Sequence, residues 1–130
     1  MNWIVVGAVC GALGVSLGAF GAHGLEPLLS KGDRVETYEI AVRYQMYHAA
    51  ALVLVGLLAG RLASPWLTAA GWAFLSGTVI FCGSLYLLAV LDASGYSWAR
   101  MLGAITPLGG LAMIVGWCAL AVAGWQGGRS

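Results

Sequence analysis

Gly18-Ala-Phe-Gly-Ala-His-Gly-Leu25 opens the stretch that decides the fold, and Val42-Arg-Tyr-Gln-Met-Tyr-His48 closes it. Between them runs the one charged segment of the chain. The whole stretch holds both histidines and most of the Lys, Arg, Asp and Glu residues. Outward from it in either direction the sequence is hydrocarbon and small residues. Hydrophobic residues make up 61 % of the 130 positions and charged residues only 8 %. A soluble chain of this size needs about a quarter charged residues to clothe its surface. Lipid is therefore the solvent over most of the chain, and 130 residues bound it to a single domain. A net charge of +1 provides no field for a nucleic acid or an acidic substrate. Cys10, Cys82 and Cys118 each sit in an apolar run without paired spacing, which suits packing rather than a disulfide or a zinc site.

Upstream, residues 3–22 are apolar throughout, long enough to cross about 30 Å of hydrocarbon at about 1.5 Å per residue. A cleaved signal peptide is the rival reading, but Met1-Asn-Trp lacks a basic n-region and the run exceeds a usual h-region. Gly7, Gly11, Gly14, Gly18 and Gly21 recur at spacings of four, three, four and three. That repeat draws a bare seam along a helix, fit for close packing against a helix of this chain or of a second copy.

Residues 23–41 read as the one long polar connection. Pro27 is expected to end the first helix, Lys31-Gly32 to turn, and Asp33 with Glu36 to form a capping box. From 33 to about 60 the helical pattern is unbroken, about 42 Å, longer than the hydrocarbon is thick. Its first turns must lie outside, with entry near Arg43 and Tyr44. Glu39 and Arg43 stand in the favourable i to i+4 order for an ion pair. Downstream, Arg61-Leu-Ala-Ser-Pro65 is a short turn and Trp66 marks an interface. A third span runs to about Leu91, Asp92 to Arg100 connects, a fourth span covers 101–125, and 127–130 is a loose tail.

Four segments in this order carry a resemblance: Gly18 to Leu25, Ala41-Val-Arg-Tyr-Gln-Met-Tyr-His48, Gly83-Ser-Leu-Tyr-Leu87, and Leu102-Gly-Ala-Ile-Thr-Pro-Leu-Gly-Gly110. Together they resemble the domain-of-unknown-function 423 family, over nearly the whole chain. The resemblance implies a four-span integral membrane protein, widespread in bacteria with eukaryotic relatives. It carries over no catalytic residue, because the family has no assigned activity.

The residues themselves suggest where chemistry would gather. If the first and third spans run the same way, His23, Arg43, Asp92 and Arg100 lie near one membrane face. His48 then lies about 7.5 Å deeper than Arg43. Ionisable groups at membrane depth usually face a bundle interior or a wet cavity. A ligand site or proton relay would use them directly, with Tyr44, Tyr47 and Tyr86 supplying hydroxyls; interface anchors and ion pairs between hairpins would use them structurally. A metal held by His23, His48 and a carboxylate is chemically allowed but not demanded by spacing, and His23 more simply closes the first helix. Thr106-Pro107-Leu-Gly-Gly110 weakens the fourth span, since Pro107 denies the Gly103 carbonyl its helical donor. A plain kink is the simpler outcome and a broken helix lining a substrate path the sharper one. A Ser84, His48, Asp92 triad can be drawn, but no nucleophile motif frames it. A narrow multidrug exporter would need an acidic residue in the first span, which is absent.

The expectation is thus an all-α integral membrane four-helix bundle of two helical hairpins, with spans near 3–22, 42–60, 66–91 and 101–125. It is a homo-oligomer through its glycine seams, multi-pass in the cell membrane with both termini outside. It needs no cofactor or metal and binds no nucleic acid. Its function is expected to be non-enzymatic, that of a binding or scaffold component surrounded by membrane lipids, which takes a membrane-protein partner or small ligand at His23, Arg43, Tyr44, Tyr47, His48, Asp92 and Pro107. The alternative is a small transporter or channel whose path passes His48 and the Pro107 kink. The far halves of the second and fourth spans, 52–58 and 111–123, are almost wholly apolar, which favours a scaffold over a transporter.

Overall fold

A computed structural model describes residues 1–129. Among them the order is α1 (Trp3–Phe20), a π-helical turn (Gly21–Leu25), α2 (Glu26–Lys31), α3 (Val35–Ala59), α4 (Pro65–Ala93), a 3-10 helix (Ser97–Ala104) and α5 (Thr106–Gly127). Four helical stretches are long and apolar enough to cross a membrane, and no strand occurs among the described residues. The architecture is the expected all-α one. Asn2 caps α1 through the Val5 amide at 3.2 Å, and Ser64 caps α4 with Pro65 in its first turn.

The first connection differs from the expectation. The helix does not end near residue 22: it widens into the π turn and resumes as α2 to Lys31, leaving only residues 32–34 to reverse the chain. Pro27 is accommodated because it falls in the first turn of α2, where a missing N–H is tolerated. Asp33 does not cap α3. Arg34 occupies that position, and its side chain makes no capping bond to the helix amides, while Asp33 adopts φ 55°, the left-handed conformation so tight a reversal requires and Asp tolerates. Gly32 beside it presses on the end of α4, where a Cβ would lie 2.6 Å from the Ala93 Cα.

The fourth stretch differs too. A 3-10 helix of 8 residues precedes α5, and Pro107 lies in the first turn of α5 rather than kinking its middle. With no N–H at 107, the chain uses shorter bonds, from the Ile105 amide to the Leu102 carbonyl at 3.0 Å and from Leu108 to Ile105 at 3.0 Å. The segment expected as a loose tail is helical through Gly127 and turns at Gly128 and Arg129; Ser130 lies outside the described residues.

α3 and α4 form the central pair. α1 packs along α3 and α5 along α4, so two hairpins join through the middle. In lipid, burying hydrocarbon gives no drive for helices to meet, so close backbone approach and hydrogen bonds must hold them. The seam of α1 serves that need within this chain: a Cβ on Gly7 would stand 2.7 Å from the Ala49 carbonyl oxygen and 2.8 Å from the Val53 amide. The seam is thus covered by α3, so a second copy of the chain would have to meet another surface. Between α4 and α5, a Cβ on Gly109 would lie 2.8 Å from the Phe81 Cα.

Candidate functional site

The inward stripe of α3 organises the polar half of the bundle. Tyr38, Ala41, Gln45, His48, Leu52 and Val55 recur at alternating spacings of three and four, and all are buried. The stripe is polar toward the charged end and apolar beyond His48. Each polar member is bonded across or along the bundle. The Tyr38 hydroxyl donates to the Leu17 carbonyl of α1 at 2.6 Å. Gln45, 6 % exposed, donates through Nε2 to the Cys10 carbonyl of α1 at 2.9 Å and accepts from the Tyr86 hydroxyl of α4 at 2.7 Å. One amide therefore links three helices. On the far side of α4, Ser84 and Thr106 share a hydrogen bond of 2.6 Å, tying α4 to the junction before Pro107.

His48 is 4 % exposed. Its Nε2 accepts from the indole N–H of Trp117 on α5 at 3.1 Å, and its Nδ1 lies 2.7 Å from the Tyr44 carbonyl one turn earlier. Because the indole can only donate, Nε2 must be the acceptor and Nδ1 the protonated nitrogen. Both ring nitrogens are then satisfied in a neutral imidazole. Phe74 and Trp117 pack around the ring with centroids at 5.6 and 5.9 Å.

Three cavities open around this core. The first, about 490 Å³, lies between α3 and the end of α1 with α2, lined by glycines 18 and 21, Tyr38 and the charged Glu26, Glu39 and Arg43. The second, about 520 Å³, lies between α3 and α5 and includes Tyr44, His48, Phe81, Pro107 and Trp117. The third, about 500 Å³, lies between α1 and α4 and is almost wholly apolar.

The residues singled out in the sequence are thus distributed, not gathered. Tyr44, His48 and Pro107 share the second cavity. Arg43 lines the first, 3.6 Å from Glu39, the expected ion pair, with both side chains exposed. Tyr47 is exposed, edge-on to Tyr44 at 5.9 Å. His23 is exposed on the π turn and closes no helix end, because the helix continues past it. Asp92 is not a partner of Arg43. It holds Arg34 at 2.8 Å and Arg100 at 3.0 Å, binding the first connection and the 3-10 helix to the end of α4. Among the described residues no three His, Cys, Asp or Glu side chains are placed to hold a metal ion. Sequence reasoning passed over Tyr38, Gln45, Arg34 and Trp117. The signal for the first two was present, since they share a heptad stripe with His48; nothing local pointed to Trp117.

A chain of four apolar spans with a hydrogen-bonded polar half at one end is a multi-pass membrane protein. It belongs to the family described as "Protein of unknown function (DUF423)", whose model matches residues 17–110. It is 45 % identical over 120 residues to a UPF0382 membrane protein of Staphylococcus haemolyticus, covering 92 % of each chain. Against a UPF0382 membrane protein of Bacillus subtilis it is 44 % identical over 122 residues, 93 % of this chain and 94 % of the other. The likeness extends to a eukaryote: a UPF0382 membrane protein of Schizosaccharomyces pombe is 36 % identical over 117 residues, 90 % of this chain and 96 % of its own. No solved structure matches the chain. The family carries no assigned activity.

Proposed function

We propose that the protein is a non-enzymatic binding component of the cell membrane, taking the zwitterionic headgroup of a lipid in the cavity beside Arg43. The observation that carries this is the lining of that cavity: one guanidinium and the carboxylates of Glu26 and Glu39 around an otherwise mainly apolar space of about 490 Å³. A phosphate would meet Arg43 and an ammonium the two carboxylates, while the acyl chains run over the bare glycines 18 and 21. The open 3.6 Å spacing of Arg43 and Glu39 leaves both groups able to turn toward such a ligand.

Several observations support binding over transport or catalysis. His48 is engaged on both nitrogens, whereas a proton relay must exchange its proton. Beyond His48 the interior is filled by Leu52, Val55 and Phe74, each fully buried, where a conducting path would need polar groups. Ser84 bonds Thr106, and Asp92 bonds two arginines, so neither is arranged around His48 as a triad. The charged end carries Lys31, Arg34, Arg43 and Arg100 against Arg61 and Arg129 at the other, and this asymmetry supports a cytoplasmic charged end with both termini outside.

Native mass spectrometry of protein released from nanodiscs of mixed phosphatidylethanolamine and phosphatidylglycerol tests the binding. Wild type should retain phosphatidylethanolamine preferentially, and Arg43→Ala combined with Glu39→Ala should lose the preference while staying folded. Equal retention of both lipids by wild type, or an unchanged preference in the variant, contradicts the proposal.

A further inference from the structure

Tyr44, His48 and Pro107 converge on the groove between α3 and α5, a space of about 520 Å³. α5 packs along α4, and the bond from Trp117 to His48 ties it across to α3, so the groove runs from that bond toward the charged end. Its walls are aromatic. Tyr44 of α3 and Trp117 of α5 are 41 % and 46 % exposed, and both line the groove with Phe81 of α4, whose ring is centred 4.9 Å from that of Tyr44. Of the polar side chains, His48 is buried with both nitrogens engaged and has nothing to offer a ligand. Tyr44 meets Tyr47, His48 and Phe81 through its ring, and its hydroxyl has no hydrogen-bond partner among the described residues. Pro107 and Gly110 leave the α5 wall without bulk, and a Cβ on Gly110 would stand 3.6 Å from the Phe81 ring. Met113 closes the base, while Leu111 and Ile114, both exposed, form the lip toward lipid. No lining residue is charged.

We propose that this groove is a binding site for the ring of a neutral, membrane-dissolved quinone, stacked against Tyr44 and Trp117 with one ring carbonyl accepting from the Tyr44 hydroxyl. Phenol and indole rings are electron-rich on their faces and a quinone ring is electron-poor, so the charge distributions of walls and ligand are complementary. The carbonyl supplies the acceptor that Tyr44 lacks within the chain. The volume is that of a small-molecule site, and its uncharged walls at membrane depth leave a charged headgroup without a partner. An acyl chain fits the space but uses neither the ring faces nor the hydroxyl. Entry is lateral, over Leu111 and Ile114, and the tail of the quinone leaves by the same lip into the bilayer.

Photolabelling in phosphatidylcholine nanodiscs tests this with two probes at equal bilayer loading, each a decyl chain carrying a diazirine at the same carbon. One chain ends in a fully substituted benzoquinone, which leaves no ring position for a cysteine to attack, and the other in cyclohexane. A ring contact and a net hydrogen bond are each worth about five-fold, so in wild type the quinone should label groove residues about twenty-five-fold more than the cyclohexane. Tyr44→Phe keeps the ring and removes the hydroxyl, and should bring that preference to about five-fold. Ile114→Trp changes an exposed side chain at the lip, leaves the core untouched, and should suppress groove labelling by both probes. Equal labelling by the two probes in wild type would reduce the groove to a resting place for acyl chains and overturn the proposal. So would a Tyr44→Phe protein with the full preference, or an Ile114→Trp protein labelled as strongly as wild type.

Discussion

Asp92 is the residue on which the charged end closes. Its carboxylate is 7 % exposed and meets Arg34 from the first connection and Arg100 from the 3-10 helix, so one side chain locks two otherwise short-tethered segments to α4. Asp92→Asn removes the charge from both pairs and leaves two guanidiniums facing each other. The melting temperature in detergent should fall, and the gap to wild type should narrow in part as salt is raised, because the Arg100 side of the cluster is exposed to screening ions. A gap independent of salt would assign Asp92 a non-ionic role. Arg43 behaves differently: its pair with Glu39 is exposed, and such pairs contribute about 0.2–1 kcal/mol at most. Arg43→Ala should therefore melt close to wild type, with its effect seen in lipid retention.

At the scale of elements, the helices meet where glycine lets their backbones touch. The seam of α1 is not uniform. Gly7→Ala would drive a Cβ onto the Ala49 carbonyl and Val53 amide, backbone atoms that yield only if a helix moves, destabilising by about 1–3 kcal/mol. Gly11→Ala, whose Cβ would stand 3.8 Å from that of Ala49, should be neutral or slightly stabilising. Gly14 lies between these cases, because its nearest neighbour is the flexible end of Met46 at 2.6 Å. Thermal melts of the three alanine variants should rank in that order of harm, Gly7, Gly14, Gly11, without change in oligomeric state. A Gly7→Ala protein that keeps its melting temperature but dissociates from a larger assembly would move the seam to an interface between copies. The same proximity explains why the sequence pattern misplaced two helix ends. Pro27 and Pro107 signal interruption, and interruption occurs at both. The chain answers with a π turn before one and a 3-10 helix before the other instead of with a loop or a mid-helix kink. The seven-residue repeats were legible because they are periodic; the local winding was not, because it is set by what α3 and α4 press against.

At the scale of the molecule, the bundle is wired by hydrogen bonds at its charged end and packed dry at the other. The spans and the polar end were readable from hydropathy and charge alone. The separation of the candidate residues into different cavities was not, since it depends on which face of α3 each neighbour covers. The same asymmetry underlies the proposed orientation, which reporters test. Reporters fused at the C-terminus should read as extracytoplasmic, and one inserted at Gly32 as cytoplasmic; the opposite pattern would invert the topology. Whether the wired half is structural or a proton path turns on His48, whose Nε2 is engaged by Trp117 of the fourth span. Nitrogen-15 NMR of histidine-labelled protein in nanodiscs at neutral pH measures this directly. His48 should be neutral and protonated at Nδ1, with Nε2 bare and shifted by the Trp117 hydrogen bond, and that shift should be lost in Trp117→Phe. A His48 protonated at Nε2, or one whose Nε2 signal is indifferent to Trp117→Phe, would contradict it.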